Sequence, residues 1–386
     1  MQTVVIGAGV VGASIATGLA RRGAQVTLVD RGPVGAGTSA TSYAWVNSNG
    51  KEPDSYFALN AEGVRAHHRL AADGSDWLGA GGHVEIAVDE AHVRHLRGRM
   101  DRMVERGYPV EEIDPARARE LLPDVLVPDE AALVAYFPEE AFVHPQLYLA
   151  HVLGEGLRAG VRLRTGDEVV ALSGDDGGAR VTLADGTVLS ADRVVSAVGR
   201  WTSDLAALAD TTVPMATYQE PGDLTVGYLL ETDPVPVRLD KVVTTPWLNL
   251  RPAGGGRLLL QALDLDATAD PEAVPGPDSP LAEEFLARLR AVVPQAAGAR
   301  IRRVLVGQRA MPADGLTIVG PAVDRDWLYV VATHSGVTLA PFLGEAVAAE
   351  LLGDGEDARF ADFRPARFEG VPEIASPRTP RKPGEQ

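Results

Sequence analysis

Three glycines near the start of the chain, Gly7, Gly9 and Gly12, form a G-x-G-x-x-G pattern between a short β-branched run and an apolar stretch with helical spacing. Gly7 permits a tight turn, Gly9 lets the backbone approach a pyrophosphate, and Gly12 lets the helix pack closely on the strand. The diphosphate would lie near Val10 and Val11, where the N–H groups of the first helical turn favour negative charge. The pattern therefore predicts a strand–turn–helix unit that binds a dinucleotide.

The residues after this motif complete the unit that it requires. A helical pattern from Val10 to Arg22 leads to a second apolar strand, Gln25 to Val29, which ends at Asp30. A carboxylate at this position accepts hydrogen bonds from both ribose hydroxyls and repels a 2′-phosphate, which disfavours NADP. A βαβ unit of about 30 residues is the size of a Rossmann mononucleotide half. The motif by itself fits NAD and FAD equally well.

Composition and charge exclude several classes of partner and site for the chain. Its 386 residues suffice for two domains, and its net charge of -17 disfavours nucleic acid as a partner. Without cysteine there is no disulfide, no thiolate metal site, no catalytic thiol and no flavin attached through a cysteine. No apolar run is long enough to span a membrane, and the eight histidines show no metal-ligand spacing. We therefore predict a cytoplasmic protein that holds no metal.

Four separated patches resemble the D-amino-acid oxidase family of flavoenzymes, which includes glycine oxidase and sarcosine oxidase. They lie at 7–39, 166–169, 191–201 and 309–341, and the resemblance covers most of the chain. The last patch is the most specific, because it is similar to segments that close over the ribityl chain and isoalloxazine ring in that family. Nicotinamide-dependent enzymes have no reason to carry it, so the resemblance implies FAD.

The resemblance also implies a fold of the α/β plus β class, with a Rossmann-type FAD-binding domain interleaved with a substrate domain. We predict that residues 1–45, 140–205 and 309–365 form the FAD-binding domain. Residues 46–139 and 206–308 would form the substrate domain, built on an antiparallel sheet that the alternating runs between Val213 and Leu263 indicate. Helical patterns occur at 56–70, 90–106, 114–122, 145–159, 282–292 and 341–352. The sequence also predicts a strand from Val161 to Ser173 and a loop from Arg31 to Asn49. Residues 370–386 are predicted to be a disordered tail.

The residues that match the family's cofactor contacts come from all four patches. They are Gly7, Gly9, Val10, Val11, Gly12, Asp30, Arg31, Gly37, Thr38, Ser39, Val169, Ala197, Gly199, Trp201, Arg309, Ser335, Gly336, Val337, Thr338 and Leu339. The stretch from Ser335 to Leu339 precedes a predicted helix, whose N–H groups would face the flavin and favour its reduction. One branch of the family attaches flavin to a histidine where this chain has Tyr43, so we predict non-covalent FAD.

Candidates for the substrate site are less tightly defined. Arg309 matches the arginine that grips the substrate carboxylate in glycine and D-amino-acid oxidases, although an ion pair with Asp314 or another acid is the alternative. Lys51 either promotes oxygen reduction or is a solvent-facing lysine. His334 either faces the flavin or the substrate, or is an ordinary half-buried histidine. Residues that could line the pocket are Asn47, Asn49, Tyr228, Trp247, Asn249 and Arg251, of which the last three share one face of a strand by alternation.

The resemblance implies oxidation of a C–N bond of an amino acid or amine. Hydride passes to flavin N5, the imine hydrolyses, and O2 reoxidises the flavin with formation of H2O2. Three alternatives stay open: an FAD-dependent dehydrogenase of a 2-hydroxy acid or with an electron carrier as acceptor, a tailoring enzyme acting on a larger metabolite, and a non-catalytic flavin-binding subunit of a complex. Both a monomer and an oligomer are compatible with the sequence.

Overall fold

A computed structural model describes residues 1–175, 177–371, 374 and 377. The predicted disordered tail lies almost wholly outside these residues. The helices are α1 (Val10–Arg21), α2 (Asp54–Leu70), α3 (Glu90–Glu105), α4 (Pro115–Leu121), α5 (Pro145–Arg158), α6 (Thr202–Ala207), α7 (Pro280–Val292) and α8 (Gly336–Leu351).

The strands lie before and between these helices, singly or in groups of up to five. In chain order they are β1 (Gln2–Ile6), β2 (Gln25–Asp30), β3 (Trp45–Val46), β4 (Leu78–Gly79), β5 (His83–Ala87), β6 (Glu111–Glu112), β7 (Leu133–Phe137), β8 (Ala141–Val143), β9 (Arg162–Thr165), β10 (Val169–Asp175), β11 (Gly178–Leu183), β12 (Val188–Ala191), β13 (Arg193–Ser196), β14 (Met215–Ala216), β15 (Val226–Thr232), β16 (Val242–Thr244), β17 (Asn249–Gly254), β18 (Arg257–Gln261), β19 (Ile301–Gln308), β20 (Met311–Pro312), β21 (Ile318–Ala322) and β22 (Arg325–Ala332).

A six-stranded sheet with the order β21-β22-β13-β1-β2-β9 carries the dinucleotide motif. All its neighbours pair in parallel except β21 and β22, which are antiparallel. Because the carboxyl ends of parallel strands meet at one edge, Gly7 after β1, Asp30 at the end of β2 and Ala197 after β13 lie together. This edge is where parallel α/β sheets bind their ligands.

Helices α1 and α8 pack against each other on this sheet. A Cβ atom on Gly18 of α1 would lie 1.9 Å from the carbonyl oxygen of Gly344 in α8, so only glycine permits this approach. The apolar core here includes Ile15 and Leu343. Tyr56 and Leu59 of α2 belong to the same core, although α2 falls within the segment predicted for the substrate domain. The exact domain boundaries stay a prediction.

A second sheet of eight strands has the order β19-β15-β18-β17-β16-β5-β7-β6. It is antiparallel as predicted, except that β5 and β16 pair in parallel. Tyr228 and Leu230 of β15 point to the face that packs with Phe285 of α7. Their neighbours Gly227 and Leu229 point the opposite way, into a cavity that reaches the first turn of α8.

Three predicted elements differ from the structure. The last helix begins at Gly336 rather than Pro341, so this proline lies inside α8. The run predicted as one strand from Val161 to Ser173 is divided into β9 and β10. The loop predicted from Arg31 to Asn49 contains β3, which pairs with β8. A two-residue strand has no detectable alternation, because its pairing rather than its own pattern defines it.

Candidate active site

A cavity of about 670 Å³ extends from the glycine motif to the N-terminus of α8. Its walls depend on the glycines, since a Cβ on Gly7, whose φ is +106°, would lie 2.4 Å from the carbonyl oxygen of Ala197. A Cβ on Gly9 would lie 3.2 Å from Ser39 Oγ. The predicted cofactor residues that line this cavity are Gly7, Gly9, Val10, Val11, Asp30, Arg31, Gly37, Thr38, Ser39, Val169, Ala197, Gly199, Trp201, Gly336 and Val337.

Asp30 is held in place at one end of the larger cavity. Its Oδ2 atom accepts a hydrogen bond from the Ala8 N–H at 2.7 Å, and its Oδ1 atom accepts one from the Gly32 N–H at 2.8 Å. The carboxylate oxygens can each accept a further hydrogen bond. A fixed carboxylate at this point fits the ribose of a dinucleotide.

Two arginines stack on Trp201 beside the same cavity. The guanidinium carbon of Arg200 lies 3.8 Å from the ring centre of Trp201, and that of Arg31 lies 4.3 Å from it. Burial, followed by repulsion from Arg31, lowers the pKa of Arg200. Positive charge beside a glycine-rich turn fits a diphosphate, in a chain that is otherwise strongly acidic.

A smaller cavity of about 140 Å³ adjoins the larger one. Thr38, Ser42, Ala310, His334 and Val337 line both cavities, which places the smaller cavity at the α8 end of the larger. Four of the predicted substrate and catalytic residues reach it, namely Lys51, Asn249, Arg309 and His334. The described residues around it include no aspartate and no glutamate. The lining therefore combines two basic side chains with neutral polar groups.

Lys51 lies in the wall of the smaller cavity and is only 5% exposed. The solvent-facing alternative for this residue is therefore wrong. Burial lowers the pKa of Lys51 to about 8, and the negative charge of Glu140 opposes this shift. A lysine with such a pKa exchanges its proton near neutral pH.

The Arg309 guanidinium is held on one side by the protein. Its Nη1 atom donates to the carbonyl oxygens of Leu224 and Val226, and its Nη2 atom lies 3.2 Å from Asp266 Oδ2. The ion-pair alternative thus takes the form of a contact with Asp266, while Asp314 binds a different arginine. Arg309 nonetheless lines the smaller cavity, and its charge reaches the neighbouring His334.

His334 lies at the junction of the two cavities. Burial lowers its pKa to about 3, with further lowering by the charges of Lys51 and Arg309. The imidazole is therefore neutral at physiological pH. A neutral ring offers one N–H donor and one nitrogen acceptor to whatever occupies the junction.

Three residues predicted to line the substrate pocket lie elsewhere. Tyr228 faces the opposite side of β15, and its hydroxyl donates to the carbonyl oxygen of Thr268 at 2.6 Å. Trp247 is 50% exposed in the turn before β17, so it does not follow the alternation of that strand. Arg251 is buried and donates to the carbonyl oxygens of Tyr43 and Pro252. Alternation left open which face of β15 meets the cavity, and Trp247 lies in a turn before β17. Arg251 lies two residues beyond Asn249 on the same strand.

Asn47 and Asn49 are buried behind the wall of the smaller cavity and do not line it. The side-chain amide of Asn47 donates to the carbonyl oxygen of Trp45 at 3.3 Å. The backbone N–H of Asn49 donates to Glu140 at 3.3 Å. Both residues support the wall from outside.

Five predicted cofactor residues do not line the larger cavity, and one of them, Arg309, lines the smaller cavity instead. A Cβ on Gly12 would lie 1.8 Å from the Gly7 carbonyl oxygen, so its role is the predicted close packing. Ser335 and Thr338 line the smaller cavity. Leu339 is fully buried in the core, and its N–H donates to Ser335 O in the first intrahelical bond of α8.

Other polar residues at the site belong to no motif and were not predicted from the sequence. Gln261, on the strand paired with that of Asn249, lines the smaller cavity, and its Oε1 atom lies 3.4 Å from Asn249 Nδ2. The hydroxyl of Tyr56 lies 2.8 Å from Ser335 Oγ. Neither Gln261 nor Tyr56 belongs to a motif. Each reaches the site only because its strand or helix packs there.

Neither a metal nor a membrane span is indicated by the part of the chain that the structure describes. Within it, no three His, Cys, Asp or Glu side chains are grouped so that they could hold a metal ion. No helix among the described residues is long and apolar enough to cross a membrane.

A dinucleotide cleft that opens at one end into a small polar chamber defines a class of nucleotide-dependent redox enzyme. Residues 2–350 match the DAO family, described as FAD dependent oxidoreductase, and the chain belongs to that family. The residues of the cleft fit FAD, because its glycine turn and its fixed Asp30 lie at one end and the N-terminus of α8 at the other.

Named relatives match almost the whole length of this chain. It is 27% identical to 4-methylaminobutanoate oxidase (formaldehyde-forming) of Paenarthrobacter nicotinovorans over 96% of this chain, but spans only 46% of that protein. It is 24% identical to glycine oxidase of Bacillus licheniformis, covering 96% of this chain and 98% of the relative. The solved glycine oxidase of Geobacillus kaustophilus superposes with a TM-score of 0.80 at 25% identity, covering 95% of this chain and 99% of that one.

These comparisons confirm the predicted family, fold class and cofactor. The protein is an FAD-dependent oxidoreductase of the class that acts on amino acids and amines. The superposition on L-proline dehydrogenase of P. horikoshii, with a TM-score of 0.82 at 21% identity, shows the shared fold alone.

Proposed function

We propose that the protein oxidises the C–N bond of a small amino acid, with the smaller cavity as its substrate chamber. The observation that carries this proposal is the lining of that cavity, which presents Lys51 and Arg309 and no acidic side chain. Such a chamber attracts a substrate carboxylate and disfavours a substrate that carries two cationic groups. Among the relatives, the name glycine oxidase denotes a substrate with this group.

The volume of the chamber supports a small substrate. A cavity of about 150 Å³ holds a molecule of the size of benzene, with about six non-hydrogen atoms. The chamber here, at about 140 Å³, suits glycine, its N-methyl derivative or a similarly short amine. Larger metabolites would require its walls to move.

The residues of the chamber orient the substrate and exclude water. Arg309 attracts the carboxylate end, and neutral His334 offers a hydrogen bond without repelling a neutral amine. Lys51 in its neutral form can accept the proton that a substrate ammonium must lose before its nitrogen lone pair takes part. FAD, when bound, supplies the two-electron acceptor for the C–H bond next to that nitrogen.

An anaerobic titration of the purified holoprotein tests the proposal. We expect glycine, N-methylglycine or another short amino acid to bleach the visible flavin spectrum, whereas 2-hydroxy acids of equal length leave it unchanged. Bleaching by hydroxy acids alone would overturn C–N oxidation. A flavin that dithionite reduces but no small amine or amino acid reduces would also contradict the proposal, and would favour a larger substrate or a missing partner.

Replacing Arg309 tests how the carboxylate is bound. We expect Arg309→Ala to raise KM for an amino acid far more than for the matching amine without a carboxyl group. Loss of a charged contact weakens binding by about 2–4 kcal/mol, which corresponds to about a 30- to 1000-fold change. An equal change for both substrates would remove the carboxylate role.

The electron acceptor, the cellular location and the oligomeric state are further proposals. We propose O2 as acceptor because relatives with full-length similarity are named as oxidases. Stoichiometric H2O2 formation in air would support it, and turnover only with an artificial dye would favour an electron carrier. Cell fractionation tests the cytoplasmic location, and light scattering of the holoprotein determines whether it is an oligomer.

A further inference from the structure

The chain uses lysine very sparingly. Of its 36 basic residues only three are lysines, at 51, 241 and 382, and the others are arginines. Lys51 nevertheless lines the substrate chamber, where the other basic side chain is Arg309. Lysine differs from arginine in that it can lose its proton when buried. The choice of lysine at this position therefore points to a group that changes its charge.

A fully buried carboxylate, Glu140, stands behind the same wall. Its Oε2 atom accepts a hydrogen bond from Trp45 Nε1 at 3.0 Å, and its Oε1 atom accepts one from the Tyr108 hydroxyl at 3.2 Å. The Asn49 N–H donates to Oε1 at 3.3 Å, and His83 Nδ1 lies 3.2 Å from Oε2. A buried ion held by this many contacts is fixed in position.

The backbone places Glu140 and Lys51 on neighbouring parts of the fold. Glu140 directly precedes β8, and β8 pairs with β3, which carries Trp45 in the wall of the chamber. Lys51 follows β3 by a few residues, and the Asn49 contact ties the intervening segment to Glu140. The same carboxylate thus holds both the strand and the segment that leads to the lysine.

The groups that face Lys51 are of mixed character. Glu140 contributes negative charge, while the neutral His334 lines the same chamber as Lys51. The Tyr56 ring centre is 5.9 Å from Lys51 Nζ, and Arg106 reaches only the backbone carbonyl oxygen of Lys51. Arg309 also lines the chamber and adds positive charge near His334. Glu140 is therefore an acid whose charge can offset a proton on Lys51.

We propose that Glu140 is a positioning residue of the active site that acts through Lys51, by holding the chamber wall and balancing the charge that Lys51 gains when it takes a proton from the substrate ammonium. In this step an N–H bond of the ammonium breaks and a new one forms on Nζ, with no other change in either group. The kinetic part of the inference rests on the proposed function. The electrostatic part does not, because it concerns the protein before any substrate binds.

The small number of lysines makes a direct test feasible. Holoprotein labelled with carbon-13 at lysine Cε gives three signals, and Lys51→Met identifies that of Lys51 by its loss. We expect the Lys51 signal to titrate near pH 8, and to move to lower pH in Glu140→Gln, because a buried charge that stabilised the ammonium is gone. Tyr108→Phe is the matched control, since it removes one contact to Glu140 and keeps the charge.

The outcomes of this titration test whether the charge of Glu140 acts on Lys51. Equal midpoints for Lys51 in the wild type, in Glu140→Gln and in Tyr108→Phe would show that Glu140 only supports the fold. If Glu140→Gln does not yield folded protein, the wild-type titration still tests the proposal: a Lys51 midpoint equal to that of the other lysines would overturn it.

The pH dependence of anaerobic flavin reduction tests the kinetic part. We expect Glu140→Gln to shift the rising limb of the rate to lower pH, and Lys51→Met to remove that limb. Unchanged limbs in both variants, with rapid flavin reduction, would overturn the role of Lys51 while leaving C–N oxidation in place. If no amino acid or amine reduces the flavin at all, the proposed function fails, and the lysine titration still reports on Glu140.

Discussion

The Nε2 atom of His67 in α2 lies 2.7 Å from the carbonyl oxygen of Val337 in the first turn of α8. In a regular helix this oxygen would accept the N–H of residue 341, but Pro341 has none. Burial lowers the pKa of His67 to about 4, so the ring is neutral and Nε2 carries the proton that a carbonyl requires. His67 therefore replaces the hydrogen bond that the proline removes, at the end of α8 that lines both cavities.

This relationship predicts coupling between His67 and Pro341. His67→Phe keeps an aromatic ring but leaves a buried carbonyl unpaired, which costs about 1–3 kcal/mol. In a Pro341→Ala background the helix can supply its own N–H, so the same substitution should cost about 1 kcal/mol less. Chemical denaturation of the four proteins of this cycle, each saturated with FAD, measures the difference. Strictly additive effects would contradict the exchange of one donor for the other.

A second prediction concerns the ion pair of Arg309 and Asp266, in which the Asp266 side chain is fully buried. Arg309→Ala leaves that carboxylate without its cation, and breaking a buried pair costs about 3–5 kcal/mol. The double variant Arg309→Ala/Asp266→Asn should recover part of this loss, because no uncompensated charge stays behind. Unfolding free energies at pH 7 provide the measurement. A double variant as unstable as the sum of both single variants would show that the two side chains do not interact.

FAD affinity should depend on Asp30 through its position at the end of β2. Asp30→Ala removes a carboxylate that faces the cleft and is fixed by two backbone N–H groups. Loss of a hydrogen bond to a charged group costs about 1.5–3 kcal/mol, so we expect Kd for FAD to rise about 10- to 100-fold. Asp192→Asn is a matched control, because Asp192 also accepts a backbone N–H, from Gln2, at the start of β1. Titration of each apoprotein with FAD, followed by flavin fluorescence, measures Kd for Asp30→Ala and for Asp192→Asn.

The parts of this protein that the sequence predicted well share a physical cause. The glycine turn and Asp30 act through backbone geometry and a single strand end, so their roles follow from local sequence. Tyr228 could not be placed, since alternation defines two faces of a strand but not which face meets the cofactor. Arg251 shares the strand face of Asn249 but lies two residues further along, where it binds the backbone of Tyr43 and Pro252. Glu140 carries no motif, because the burial of an acid is decided by strands distant in sequence.

The start of α8 shows how a long-range contact overrides a local signal. Pro341 favours a helix beginning at that residue, as the sequence analysis predicted. The structure instead begins the helix at Gly336 and supplies the missing donor from α2, 270 residues earlier in the chain than the acceptor. The family resemblance located the α8 segment at the cofactor, yet no local pattern could reveal the histidine that supports it.

Stability should fall as the pH decreases below about 6.5. The pKa of His67 is lowered to about 4 in the folded protein and that of His334 to about 3, whereas an unfolded histidine titrates near 6.5. The unfolded chain therefore binds more protons in this range, and unfolding becomes easier by up to about 1.4 kcal/mol per pH unit for His67. Denaturation between pH 4 and pH 7 should show a shallower slope for His67→Phe. A slope in His67→Phe equal to that of the wild type would contradict this contribution.

The cofactor should dissociate completely when the protein unfolds. Tyr43 stands where one branch of the family has the histidine that bonds to flavin, and it lines the smaller cavity with a buried hydroxyl. Burial raises the pKa of Tyr43, so its oxygen stays protonated near neutral pH and is a poor nucleophile. Precipitation of the holoprotein with acid should leave a colourless pellet and a yellow supernatant. Tyr43→Phe should retain flavin as the wild type does, and colour that stays with the wild-type polypeptide would mean that another side chain forms the bond.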